Sequence, residues 1–197
     1  ATNLRYTLKL GAEDEEKLRD RVDECRLALA RAARAAGRLT SNRGHDRCAS
    51  NYYAHVRNSR RPERVLEALR GLMEVHRDEA LRRAAANDFH EGKESLQRAL
   101  QYARELWLEE AGLSPTEPQL PTEARALLDE KAPGDDPVRR RQALASLVQE
   151  GKIDPPSVEL ADLRRVWVDF TVSRGLHAIR KQIQSGYVGA PEQELAD

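Results

Sequence analysis

A mainly α-helical fold, a multi-helix bundle in two lobes with one short N-terminal β-strand, is predicted by three observations. Apolar residues recur at spacings of three and four along most of the chain, which gathers them on one face of a helix. Ala, Leu, Arg and Glu, all strong helix formers, are abundant. Charged residues make up 34% of the chain and aromatic residues only 5%, a balance that suits helices with solvated faces better than sheets.

Each element follows from local pattern. Leu4-Arg5-Tyr6-Thr7-Leu8-Lys9-Leu10 alternates apolar and polar positions, as a half-buried strand does, and must pair with a distant segment or another chain. Gly11 breaks it, and the acids Glu13 to Glu16 suit the positive end of a first helix. Leu18, Val22, Cys25, Leu29 and Ala32 or Ala33 form that helix's expected buried stripe, with Cys25 a small core residue, while Arg31, Arg34 and Arg38 line a separate one. Thr40 to His45 reads as a loop before a short segment around Asn51-Tyr52-Tyr53. A long helix starts near Pro62, carries Leu66, Leu69, Leu72, Met73 and His76, and fades near Asn87-Asp88. The next, about Lys93 to Ala111, buries Leu96, Leu100, Ala103, Leu106 and Trp107 and is terminated by Gly112.

Pro115, Pro118 and Pro121 preclude a continuous helix and read as a linker. Thr122 caps a short helix through Leu128; Asp136 and Pro137 suit the N-cap and first turn of another, which ends at Gly151. Ser157 caps a last helix with Leu160, Leu163, Trp167, Phe170 and Ile179 on its apolar face, ending at Ser185-Gly186. The expected division is a strand and helical lobe over 1–112, a linker over 113–121, a helical lobe over 122–189 and a tail over 190–197. No internal repeat is present.

Composition narrows the function. Two cysteines, Cys25 and Cys48, cannot staple 197 residues, and the chain opens on the polar Ala1-Thr2-Asn3, so a reducing, cytoplasmic setting is expected. No apolar run approaches the roughly 20 residues that span a bilayer, and no membrane partner is expected. The net charge of zero conceals a polarity: nine arginines face one acid, Asp46, between Arg26 and Arg61, whereas five basic residues face twelve acids between Ala84 and Asp136. The first stretch attracts phosphate and the second repels it.

The candidate nucleic-acid-binding residues are therefore Arg31, Arg34, Arg38, Arg43, Arg47, Tyr52, Tyr53, Arg57, Arg60 and Arg61. Guanidinium forks interleaved with flat rings make phosphate and base contacts with RNA or single strands. A tyrosine pair packed against the long helix is the competing reading. His45, Cys48, His55 and Cys25 are chemically able to bind zinc but contain a single His-x-x-Cys pair where structural sites have two tight pairs, so no metal or other cofactor is assigned. Arg38 with His45, Arg70 with His76 and Arg83 with His90 fit the R-x(4–6)-H spacing of HEPN-type ribonucleases, in which the His handles a 2′-hydroxyl proton. Arginine is frequent enough here to produce such spacings by chance. Phosphate-cradling glycine loops and hydrolase or zinc-protease motifs are lacking, which favours a non-enzymatic binding protein or a helical protein-protein adaptor.

From Leu4 to Ala36 the chain resembles the N-terminus of transposon-encoded RNA-guided nucleases and the related type V CRISPR effectors. A short strand, a turn, and a helix carrying a Cys-Arg pair look like Leu4 to Leu10, Gly11 to Glu13, and Cys25-Arg26. The pattern departs where a Pro is usual in the turn and an Asn after Cys-Arg. The resemblance implies a wedge-domain strand, recognition-lobe helices that hold a guide–target heteroduplex by shape and backbone, and partners that include RNA or DNA and other protein subunits. By composition the chain is also similar to the helical small subunits of multi-subunit CRISPR complexes, which act in antiviral defence.

Overall fold

The computed structural model describes residues 12–40, 42–113, 120–134 and 136–185. Among them are seven helices and no strand: α1 (Ala12–Thr40), α2 (Arg43–Val56), α3 (Pro62–Ala85), α4 (Phe89–Leu113), α5 (Thr122–Lys131), α6 (Pro137–Gln149) and α7 (Val158–Ser185). The fold is mainly α, as expected. The expected strand Leu4–Leu10 and the tail 190–197 lie outside the described residues.

Helix ends follow local chemistry. The Asp136 side chain accepts from the backbone N–H groups of Val138 and Arg139, with Pro137 opening α6. The Ser157 hydroxyl accepts from Leu160 N–H at the start of α7. Asn87, at φ 60°, ends α3 in the left-handed conformation; Asp88 N–H reaches Arg83 C=O and Asn87 N–H reaches Ala84 C=O, which satisfies the last carbonyls. Gly151, at φ 69°, does the same for α6 through Lys152 N–H to Leu147 C=O.

Several boundaries differ from expectation. The expected loop over 40–45 is largely helical: Thr40 ends α1, Asn42 caps α2 by accepting from Gly44 N–H, and helix runs from Arg43 through Val56. α4 begins four residues before Lys93, at Phe89, and runs through Gly112, which therefore does not terminate it. Pro121 rather than Thr122 occupies the N-cap of α5, without a side-chain bond.

The chain forms two compact units, Ala1–Ala68 and Leu69–Asp197, divided inside α3. The sequence carries no turn signal there, since Glu67, Ala68, Leu69 and Arg70 all favour helix, so the backbone runs on unbroken. The Pro-containing stretch 113–121 falls within the second unit. There Trp107 of α4 shares a core with Ala124 and Leu128 of α5, Leu144, Leu147 and Val148 of α6, and Ile153.

In the first unit α1 packs on α2. Leu27, Ala30 and Gly37 of α1 and Ala49, Tyr53 and Val56 of α2 are buried. A Cβ on Gly37 would stand 2.6 Å from Asp46 Oδ1, so only glycine lets the helices approach this closely. A second core in the other unit joins Met73 and Ala80 of α3, Leu96, Ala99 and Ala103 of α4, and Leu160, Leu163 and Phe170 of α7. Gly92 serves α4 as Gly37 serves α1: its Cβ would meet Phe170 Cε2 at 2.8 Å.

The expected stripe on α1 is not core. Leu18, Val22 and Leu29 are 53%, 38% and 49% exposed, and Cys25 is exposed too. Helical geometry explains this, because Leu27, Ala30 and Gly37 lie roughly 90–170° around the helix from that stripe, on a side that carries the small residues a close helix pair needs. Ile179 of α7, expected on its buried face, is 44% exposed. Leu27→Ala should cost about 2–4 kcal/mol as a cavity mutation, whereas Leu29→Ala should cost less than about 1 kcal/mol; urea unfolding midpoints of the two variants check the assignment of faces.

Candidate nucleic-acid interface

The arginine-rich run falls on α1, α2 and the turn before α3, and the structure sorts its members by what their guanidiniums touch. Arg31 makes a two-pronged ion pair with Glu67 of α3, both nitrogens 2.6 Å from carboxylate oxygens. Arg61 donates to Asp20 through Nε and Nη2, at 3.1 and 2.8 Å. Arg64, outside the expected set, adds Nη1 to both the carboxylate and the carbonyl of Asp20, at 3.2 and 2.8 Å. Arg34 is half-buried and hydrogen-bonds the Tyr53 phenol.

Arg31 and Arg61 remain exposed while paired, and the guanidiniums without a carboxylate partner are a different subset. Arg43 and Arg47 stand four residues apart on α2, on one face, and Arg60 lies in the following turn; all three are exposed and form no ion pair among the described residues. Arg38 and Arg57 are also exposed. Asp46, the single acid between Arg26 and Arg61, is 7% exposed against Gly37. The outer surface of the run thus carries arginine and no exposed carboxylate. By sequence the unit around it holds fifteen basic and ten acidic residues over 1–68.

The aromatic part of the expected site divides. Tyr53 is 3% exposed, and burial pushes its phenol up despite the opposing hydrogen bond from Arg34. Its ring faces are packed, so it does not present a stacking platform. Tyr52 is half-buried and His55 exposed. On α2, positions 46, 49, 53 and 56 face inward, which turns position 52 partly and position 55 fully outward.

In two of the three R-x(4–6)-H spacings the arginine is paired with acids instead of the histidine. Arg70 pairs with Glu110. Arg83 pairs with Glu79, Asp88 and Glu91, while His90 is 86% exposed and lies 3.7 Å from Glu94. His76 is 7% exposed, stacks on Tyr102 and lies 3.8 Å from Glu79, and its nearness, with hydrogen bonds from Arg83 adding, holds the Glu79 carboxyl down at about 2. Among the described residues no three His, Cys, Asp or Glu side chains stand together as metal ligands, and no helix is long and apolar enough to cross a membrane.

A second basic concavity, of about 350 Å³, was not visible in the sequence. His90 and Lys93 near the start of α4 and Arg174, His177 and Lys181 of α7 line it, with Phe89 at its base against His177. The contributing helices are some eighty residues apart in sequence, so only folding assembles it.

Hydrogen bonding from Arg61 holds the Asp20 carboxyl below its usual value, with the charges of Arg61 and Arg64 adding to it. An acid depressed in the folded state stabilises above its unfolded pKa, near about 3.9, and that stability is lost as the pH falls through the folded value. Asp20→Asn should therefore lower the urea midpoint at pH 7, and the gap to the parent should narrow at pH 3. No protein-family model matches the chain, and no curated protein or solved structure matches it either.

Proposed function

We propose that this chain is a nucleic-acid-binding helical module that holds RNA or an RNA–DNA hybrid through sequence-independent contacts to the phosphate backbone. One observation carries the reading: the exposed surface of the Arg26–Arg61 run is arginine without carboxylate, because Asp46 is buried and Asp20 and Glu67 are occupied from within. Guanidiniums four residues apart on α2, with Arg60 exposed beyond its C-terminal end, suit contacts to backbone oxygens and not to base edges. The likeness of Leu4 to Ala36 to RNA-guided nucleases supplies a setting, an RNA-guided assembly of the CRISPR or transposon type in which other subunits do the chemistry.

A second reading, a helical adaptor for other proteins, is favoured by the exposed apolar stripe Leu18, Val22, Cys25 and Leu29 on α1. Salt separates the two, since phosphate contact weakens steeply with ionic strength and apolar docking does not.

Arg43, Arg47 and Arg60 make a sharper test than Arg31, Arg34 and Arg38, because the latter group includes guanidiniums that hold the fold. Replacing Arg43, Arg47 and Arg60 by Gln should reduce the salt slope of binding to single-stranded RNA and to RNA–DNA hybrid by roughly 2–3 units and weaken binding at least about tenfold at low salt. Helix content should be unchanged. A matched change of Arg125, Arg139 and Arg141, exposed on α5 and α6, should do neither. Equal losses in both variants, or no binding by the parent at low salt, would replace this reading with the adaptor.

A further inference from the structure

Helix α7 carries a second set of large apolar side chains that its own core leaves in solvent. Val168, Val172, Leu176, Ile179 and Ile183 are 59%, 55%, 50%, 44% and 74% exposed, while Leu160, Leu163 and Phe170 occupy the buried face. At 100° per residue the five exposed side chains fall within one narrow stripe, nearly opposite the buried one. Over residues 168–183 the stripe is about 24 Å long at 1.5 Å per residue.

The order of residues along it is symmetric about a point between Gly175 and Leu176. If two copies of α7 met antiparallel across a two-fold axis at that point, Val168 would face Ile183 of the second copy, Val172 would face Ile179, and Leu176 would face Gly175. Each apolar residue then meets an apolar residue or the one position without a side chain, which leaves room for the central pair of leucines. The flanks match as well. Asp169 and Arg180 lie on the same edge of the stripe, and in an antiparallel pair like edges meet, so Asp169 of each copy faces Arg180 of the other. On the opposite edge Thr171 faces Gln182. Within one copy Asp169 and Arg180 are eleven residues apart and neither forms an ion pair among the described residues, so the charges do not compensate each other in the isolated helix.

We infer that the exposed face of α7 is a self-association surface on which a second copy of this chain docks antiparallel, registered by reciprocal Asp169–Arg180 pairs. A two-fold contact is self-complementary by construction, and the residue order about position 175 has that property. A single helix pair of this length sits near the lower size limit for a specific interface, about 1,000 Å² in total, as for reversible contacts that dissociate on dilution.

Sedimentation velocity of the full chain from about 1 to 200 µM at moderate salt tests this, with circular dichroism confirming unchanged helix content. The parent should shift from monomer to dimer across the series, and Ile179→Glu should remain monomeric throughout. Asp169→Arg should weaken dimerisation at least tenfold by placing arginine against arginine, and the double change Asp169→Arg with Arg180→Asp should restore it to within about threefold of the parent. Because both charged positions lie on the solvent side of α7, folding is not at risk in that pair. A parent that stays monomeric at 200 µM would overturn the inference and leave the face to a different partner. Dimerisation that survives Ile179→Glu would place the contact elsewhere, and loss in Asp169→Arg without rescue by the double change would overturn the antiparallel register.

Discussion

Asp20 is the point on which the first unit turns. A single carboxylate on α1 accepts from Arg61 and Arg64, which stand 41 and 44 residues further along the chain on either side of the start of α3. Together with the two-pronged Arg31–Glu67 pair, it ties the beginning of α3 to α1 by charge, while α1 and α2 are joined by small residues and the close approach at Gly37. Three arginines of a conspicuously basic region are thereby ion-paired within the unit, Arg31 and Arg61 while still exposed. The arginines left without such carboxylate partners are defined by this arrangement, so the proposed binding surface follows from how the unit is held together.

Small residues set the packing throughout. With only 5% aromatic residues the chain has few side chains that fill wide gaps, and its helices meet where Ala and Gly allow close contact: Ala30, Gly37 and Ala49 in one unit, Ala80, Gly92, Ala99 and Ala103 in the other. Larger aliphatic side chains, Leu18, Val22 and Leu29 on α1 and the 168–183 row on α7, lie on faces that the described residues leave exposed. Helices that are apolar on two sides are built to pack twice.

This also explains how far the sequence could be read. Helix ends governed by one or two adjacent residues, Asp136-Pro137, Ser157, Asn87 and Gly151, were legible because a cap is a local interaction. On α1 the large residues Leu18, Val22 and Leu29 carry the apolar period, whereas the buried residues are Leu27 and the small Ala30 and Gly37, so the period points to the wrong face. α2 reads from sequence only as a short segment around Asn51-Tyr52-Tyr53 because its buried row, Asp46, Ala49, Tyr53 and Val56, includes a carboxylate and an alanine that do not read as apolar periodicity. Which arginines face solvent was not legible at all, since their partners lie 36 to 44 residues away and no local pattern announces such pairs. The basic run itself was visible by counting; its division into structural and exposed members required the fold.

Arginine-selective modification with phenylglyoxal, mapped by mass spectrometry with and without a saturating single-stranded RNA, addresses that division most directly. In the free chain Arg43, Arg47 and Arg60 should react fastest, with Arg31, Arg61 and Arg64 slowed by their carboxylate partners. RNA of any sequence should then protect Arg43, Arg47 and Arg60 and leave Arg125 and Arg139 reactive. Protection that is absent, that depends on RNA sequence, or that falls on Arg125 and Arg139 instead would contradict the account.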